Sequence, residues 1–119
     1  MKKILVVEDN EKNLYLMRFL LEHKGYKVVD ARDGLQGVKM AELEKPDLIL
    51  MDIQLPVLDG YKATKQIKAN KEISDIPVVA ITSFAMIGDR EKTLKAGCDG
   101  YIEKPINPET LIAEIEQYL

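Results

Sequence analysis

A run of four apolar residues followed by a carboxylate decides the fold of this chain: Leu48-Ile49-Leu50-Met51-Asp52. A short continuous apolar run is typical of a strand that is covered on both faces, because a strand with one wet face alternates apolar and polar residues. The same kind of run recurs at Ile4-Leu5-Val6-Val7 and at Val78-Val79-Ala80-Ile81. These three runs predict the buried central strands of one sheet.

Two weaker segments and four helical patterns complete the predicted architecture. Tyr26-Lys27-Val28-Val29 and Tyr101-Ile102 are more polar or shorter, as expected of strands nearer to a sheet edge. Apolar or small residues recur at helical spacing in four sets: Leu14, Met17, Leu20 and Leu21; Leu35, Val38 and Ala41; Tyr61, Thr64 and Ile67; and Leu111, Ile112, Ile115 and Tyr118. Strands that alternate with helices predict the α/β class, here a doubly wound five-stranded parallel sheet, (βα)5, with right-handed crossovers and the common strand order 2-1-3-4-5.

Short polar and glycine motifs are predicted to delimit the helices. Asp33-Gly34 and Asp59-Gly60 are expected to cap the starts of the second and third helices, because an aspartate side chain accepts hydrogen bonds from free amides of a first turn. Gly25 and Gly97 are expected to end the first and fourth helices in a left-handed conformation.

The length of 119 residues fits one domain. The first strand is predicted to begin at about Lys2. The last helix is predicted to have Asn107 as its N-cap and Pro108 at its first position, and to run to Leu119. We therefore expect a single domain over 1–119 with no room for an output domain.

Composition limits the functional classes. The chain carries 17 Lys and Arg against 20 Asp and Glu, a formal charge of −3, which disfavours binding to a nucleic acid backbone. The lone Cys98 excludes an internal disulfide and suits a reducing compartment. No apolar run approaches the roughly 18 residues of a membrane span, and Met1-Lys2-Lys3 is not followed by a signal-peptide core. We expect a cytoplasmic monomer that binds neither nucleic acid nor membrane.

Reactive side chains follow four of the five predicted strands: Glu8-Asp9, Asp52, Thr82 and Lys104. Ligands of such sheets bind at the carboxyl ends of the strands. Three carboxylates in one crevice require a counter-charge, which a divalent cation with oxygen ligands supplies. An aspartate can accept a phosphoryl group, with the lysine and the threonine hydroxyl as further contacts to that group. Each residue alone is explained by ordinary loop chemistry, but their combination favours phosphorylation of Asp52.

These residues resemble the receiver domain of two-component response regulators, which has the CheY-like, flavodoxin-like fold. The resemblance covers the whole chain. It rests on four motifs: Val7-Glu8-Asp9; Asp52-Ile53-Gln54-Leu55-Pro56 with Asp59-Gly60; Ile81-Thr82-Ser83; and Tyr101-Ile102-Glu103-Lys104-Pro105.

The resemblance implies a role in phosphorelay signalling. Asp52 would accept a phosphoryl group from a histidine kinase or a histidine phosphotransfer protein. Asp9 and Asp52 would bind Mg²⁺, or Mn²⁺, directly, with Glu8 acting through a water and the backbone carbonyl of Gln54 as a further ligand. The chain would catalyse only its own phosphorylation and slow dephosphorylation.

The resemblance also implies how the signal leaves the domain. Lys104 and Thr82 would contact the phosphoryl group, and Thr82 would act with Tyr101 as a switch. Lys104-Pro105 matches a cis peptide of the family. A downstream protein would bind the face formed by the fourth helix, the fifth strand and the fifth helix, where the apolar contacts are Phe84, Met86, Ile87 and Tyr101.

A narrower resemblance is to DivK-like single-domain regulators, through motifs that include Phe84-Ala85-Met86 and Gly97-Cys98. The receiver modules of hybrid kinases share much of this pattern, so a module cut from such a kinase is an alternative. A second alternative is an aspartate-nucleophile phosphatase, although such enzymes carry an acid two residues after the nucleophile, where this chain has Gln54. A flavodoxin-like flavin carrier is a third, but residues 8–11 (EDNE) would repel a phosphate.

Overall fold

The structure is a computed structural model that describes residues 1–83 and 87–119, and it describes side chains for all of these except 87–90. Within these ranges, five strands alternate with five helices: β1 (Lys3–Val7), α1 (Glu11–His23), β2 (Lys27–Ala31), α2 (Gly34–Glu44), β3 (Leu48–Asp52), α3 (Gly60–Ala69), β4 (Val78–Thr82), α4 (Ile87–Ala96), β5 (Gly100–Glu103) and α5 (Leu111–Glu116). Among these described helices, none has the length and apolar character needed to cross a bilayer.

The strands form one parallel sheet with the order β2-β1-β3-β4-β5. The predicted fold class and strand order are confirmed. The two segments with the weaker strand patterns, β2 and β5, lie at the edges, and the three apolar runs lie at the centre.

Each central strand supplies side chains to two hydrophobic cores, which explains why its sequence is continuously apolar. In β1, Leu5 and Val7 pack on the side of α2 and α3, whereas Ile4 and Val6 pack on the side of α1 and α5. The same alternation continues in β3 and β4. At roughly 25 cal/mol per Å² of apolar surface, burial on both faces is the main stabilising contribution of these strands.

Most of the predicted helix ends are confirmed. The carboxylates of Asp33 and Asp59 accept hydrogen bonds from backbone amides in the first turns of α2 and α3. Gly25 and Gly97 both have φ of +103° after α1 and α4, a conformation that is strained for residues with a Cβ. The peptide bond before Pro105 is cis, as the resemblance implied.

The start and end of the last helix were predicted wrongly. Asn107 accepts hydrogen bonds from the amides of Glu109 and Thr110, but these bonds close a turn. The α-helix begins only at Leu111 and ends at Glu116. A local cap signal therefore marked a turn that precedes the helix, because side-chain hydrogen bonds of this kind stabilise turns and helix starts alike.

Leu35 is also not on the buried face of α2, although its helical spacing from Val38 and Ala41 predicted that it would be. Its exposed fraction is 42 %. The buried stripe of this helix consists of Gly34, Gly37, Val38 and Ala41. Two glycines thus occupy the side that faces the protein, and a pattern based on large apolar residues does not detect them.

Three glycines allow other groups to approach the backbone closely. A Cβ added at Gly34 would lie 1.7 Å from the carbonyl oxygen of Leu58, in the loop between β3 and α3. A Cβ at Gly60 would lie 2.3 Å from the carbonyl oxygen of Asp52. On the far edge of the sheet, a Cβ at Gly100 would lie 2.2 Å from the hydroxyl of Tyr118.

Candidate functional site

The carboxyl ends of β1 and β3 bring three carboxylates together. The strands pair with Val7 opposite Met51, so the residues that follow, Glu8 and Asp52, are neighbours. Ligand oxygens of Glu8, Asp9 and Asp52 lie within 4.8 Å of one another. Glu8 and Asp52 are buried, whereas Asp9 is exposed at the mouth of the crevice.

Lys104 supplies the positive charge of this crevice. Its Nζ lies 3.0 Å from Oδ2 of Asp52, to which it donates a hydrogen bond, and 3.1 Å from Oε1 of Glu8. The residue comes from the end of β5, where its backbone amide donates to the carbonyl oxygen of Thr82. Its position is therefore fixed by the pairing of the two strand ends.

The proximity of these charges shifts two pKa values. Burial, together with a hydrogen bond to Asp52 and repulsion from it, raises the pKa of Glu8 from 4.5 to about 7. Burial alone would lower the pKa of Lys104, but its hydrogen bond to Asp52 and the charges of both carboxylates outweigh burial and raise it above 10.5. Lys104 therefore stays charged, while Glu8 takes up a proton more readily than an exposed carboxylate.

Backbone amides hold the carboxylates in place. The amide of Gln54 donates to Oδ1 of Asp52 at 3.1 Å, and the amide of Asn10 donates to Oε2 of Glu8 at 3.2 Å. Sequence reasoning missed the contribution of Asn10. The signal was available, because Asn10 also caps α1 through its side chain, and the first residues of a helix carry free amides.

Thr82 and Tyr101 lie next to the crevice, on β4 and β5. Thr82 is buried at the end of its strand, and Tyr101 pairs with Ala80, two residues earlier on that strand. Thr82 and Tyr101 therefore lie on the same face of the sheet, one pleat apart. The predicted contact residues Phe84 and Met86 and the motif at 84–86 lie outside the described residues, as does the side chain of Ile87.

The chemistry of the donor set fits a hard divalent cation. Carboxylate and carbonyl oxygens are the ligands that such ions prefer. Among the described residues, no group donates a hydrogen bond to the buried Oε1 of Glu8, although the Nζ of Lys104 lies 3.1 Å away at ion-pair distance. A buried acceptor in this state is costly and is satisfied by a nearby cation or a cation-bound water.

The parallel sheet, the acidic crevice with its buried aspartate and the bridging lysine have the arrangement that the sequence motifs predicted for a receiver domain. The chain matches the response regulator receiver domain family over residues 4–116 and belongs to that family. It is thus a receiver domain of two-component signalling, and its class is that of signalling proteins. Membership of this family excludes the flavin-carrier and phosphatase alternatives.

Its relatives include both subgroups that the sequence motifs indicated. The chain is 47 % identical to the polar-differentiation response regulator DivK of Brucella anthropi, over 99 % of this chain and 96 % of that protein. It is 41 % identical to the receiver domain of the sensor histidine kinase PA1611 of Pseudomonas aeruginosa PAO1, with a TM-score of 0.91 and coverage of 98 % and 96 %. That structure has a magnesium ion coordinated in its active site cleft. The chemotaxis protein CheY4 of Vibrio cholerae is 27 % identical, with a TM-score of 0.95 and coverage of 100 % and 99 %.

Proposed function

We propose that Asp52 is the phosphoacceptor of this receiver domain and that the donor is the phosphohistidine of a histidine kinase or of a histidine phosphotransfer protein. The observation that carries this proposal is the contact of Lys104 with Asp52 and Glu8 in a mostly buried crevice. A lysine that only stabilised the fold would not need two buried carboxylates, because removing charges from water is costly.

Asp9, Asp52 and the backbone carbonyl of Gln54 are the proposed ligands of Mg²⁺ or Mn²⁺, with Glu8 acting through a bound water. The close approach of the three carboxylates and the magnesium in the cleft of the PA1611 receiver domain support this assignment. The bound cation would neutralise charge on the phosphoryl oxygens during transfer.

Three side chains take part in the transfer of the phosphoryl group: those of Asp52, Lys104 and Thr82. A carboxylate oxygen of Asp52 attacks phosphorus, and the phosphorus–nitrogen bond of the donor breaks, with its electron pair passing to the imidazole. The ammonium of Lys104 stabilises the charge on the transferred group, and the hydroxyl of Thr82 donates to one of its oxygens. The same groups support slow hydrolysis, so the chain acts on itself and on no external substrate.

Output is proposed to leave through the face formed by α4, β5 and α5. Phosphorylation adds about −1.5 to −2 charges at Asp52. Thr82 moves toward the new oxygens, and Tyr101, one pleat away on the same sheet face, turns into the space released. A downstream protein that binds the phosphorylated or the unphosphorylated state better by 1–3 kcal/mol, roughly 5- to 150-fold in affinity, would respond to this change.

The first test is incubation with acetyl phosphate and Mg²⁺, followed by intact mass measurement. The wild-type chain should gain one phosphoryl group only when a divalent metal is present, and Asp52→Asn should gain none. Asp33→Asn is the matched control, because asparagine retains the cap of α2 at an aspartate outside the crevice. Equal labelling of Asp52→Asn and wild type would show that the acceptor is another residue.

The second test concerns Tyr101. Tyr101→Ala should be phosphorylated like the wild type but should reduce the ratio of partner affinities between the phosphorylated and unphosphorylated states. The ratio is measured by calorimetry with the isolated partner. An unchanged ratio would remove Tyr101 from the output route.

A further inference from the structure

A cavity of about 210 Å³ lies between α3 and α4, away from the acidic crevice. It is lined by Tyr61 and Lys65 from α3 and by Lys92 and Lys95 from α4. The three lysines are exposed, and Tyr61 is half-buried. None of the four belongs to the site described above.

The three lysines have no carboxylate partner in the part of the chain whose side chains the structure describes. Among the described side chains, no carboxylate oxygen lies within ion-pair distance of their ammonium groups. Lys68, the neighbouring lysine on α3, is by contrast paired with Asp99. In a chain of net charge −3, three lysines that line one cavity without a partner among the described carboxylates give this part of the surface a positive potential.

The sequence of α3 supports the same conclusion independently. The helix reads GYKATKQIKA and contains three lysines and no acidic residue. Solvated helices usually carry both signs of charge, because opposite charges three or four residues apart stabilise the helix. Because α3 itself carries no carboxylate, Lys65 has no oppositely charged residue on its own helix, whereas Lys68 is paired with Asp99 from outside the helix.

We propose that this cavity binds a small organic phosphate that carries a planar ring, the chemical class of a nucleoside monophosphate. Lysine binds phosphate as a point charge, so the ammonium groups of Lys65, Lys92 and Lys95 hold the phosphate. The remaining wall is the lysine methylenes and the ring of Tyr61, which suits the flat face of an aromatic group. The volume is below the roughly 300–1,000 Å³ of sites for drug-sized ligands, so the ligand is small and partly exposed.

The test uses the 119-residue chain without divalent metal, and AMP, adenosine and inorganic phosphate as probes in calorimetric titrations. AMP should bind saturably and at least about tenfold more tightly than adenosine or inorganic phosphate. Only AMP has both a phosphate group for the lysines and an aromatic ring for Tyr61. Its affinity should fall as ionic strength rises, since exposed charges are screened.

Variants decide where the probe binds. Lys65→Gln/Lys95→Gln should weaken AMP binding about tenfold. Each substitution removes one exposed ion pair with the phosphate, which is worth a few-fold in affinity, and the two losses multiply. Lys24→Gln/Lys39→Gln, which removes the same charge from exposed positions just after α1 and on α2, should leave AMP affinity unchanged. Tyr61→Leu should weaken binding of AMP but not that of phosphate.

Three results would overturn the proposal. One is the absence of saturable AMP binding up to about 10 mM, near the weak limit of specific recognition. Another is an equal loss of affinity in the two double variants, which would indicate diffuse charge attraction. The third is tighter binding of a hexaglutamate peptide than of AMP, which would make the lysines a docking site for an acidic protein segment. None of these results bears on phosphorylation of Asp52, which the acetyl phosphate assay tests separately.

Discussion

Replacing Gly34 with alanine should weaken Mg²⁺ binding although Gly34 contacts no proposed ligand atom. The new Cβ would lie 1.7 Å from the carbonyl oxygen of Leu58, whereas real Cβ atoms essentially never approach closer than 3.0 Å. Either α2 or the loop after β3 must therefore move by about 1.3 Å or more. This loop also carries Gln54, whose carbonyl is a proposed ligand.

The displacement sets the size of the expected effect. Mg²⁺ requires near-octahedral coordination at about 2.0–2.1 Å, so a shift of more than about 1 Å in the loop should cost at least about tenfold in affinity. Overpacking of this kind costs about 1–3 kcal/mol of stability, and the better helix propensity of alanine offsets less than 1 kcal/mol of it. The net loss of unfolding free energy should be about 1–2 kcal/mol.

Mg²⁺ affinity is measured by calorimetry and stability by urea unfolding. Gly25→Ala is the matched control: its Cβ meets no atom within 4 Å, but its φ of +103° makes any side chain strained. It should lose about 1–2 kcal/mol and bind Mg²⁺ normally, because it precedes β2 at the opposite end of the sheet. If Gly34→Ala lost stability but kept wild-type Mg²⁺ affinity, the contact with Leu58 would not position the ligand loop.

Three further predictions concern charged residues. In the absence of metal, the folded chain retains a proton on Glu8 up to about pH 7, whereas the unfolded chain releases it near 4.5. The free energy of unfolding of wild type relative to Glu8→Gln should therefore fall by about 3 kcal/mol as pH rises through this window, and parallel urea-unfolding curves for the two proteins would contradict this. Asp9→Asn should weaken Mg²⁺ binding more than Glu8→Gln does, since Asp9 is the proposed direct ligand, and calorimetry showing the reverse order would exchange their roles. Lys68 donates to the carbonyl oxygens of Ser74 and Ile76 and pairs with Asp99, so Lys68→Met should cost about 1–3 kcal/mol in urea unfolding, and a loss below about 0.5 kcal/mol would show that water replaces these bonds.

The features that sequence predicted best are those that depend on local chemistry or on sheet topology. Asp33 and Asp59 cap their helices because the capping bond spans only three residues. Glu8 and Asp52 meet because parallel strands bring their carboxyl ends to one edge, whichever residues fill the rest of the chain. Apolar runs predicted the central strands because a strand that is buried on both faces does not alternate apolar and polar residues.

Features set by tertiary contacts were not predictable from the sequence pattern. The contact of Gly34 with Leu58 joins residues from different βα units, and no local signal marks it. Val57 has φ of +67°, which β-branched residues rarely adopt, so turn preferences argue against the observed loop. Lys45 ends α2 at φ of +44°, where glycine is the usual residue. The contact of Lys104 with Glu8 depends on how far the two side chains reach across the ends of the intervening strands β3 and β4.

The close approach of Tyr118 to Gly100 has an evolutionary consequence. The hydroxyl of Tyr118 occupies the volume that a side chain at position 100 would need. A side chain at position 100 therefore requires either a movement of the hydroxyl end of the Tyr118 ring or a smaller residue at position 118, and a larger residue at 100 with a smaller one at 118 fills the same space. In related chains, the residues at these two positions are expected to covary in size, with a larger residue at 100 found more often together with a smaller one at 118.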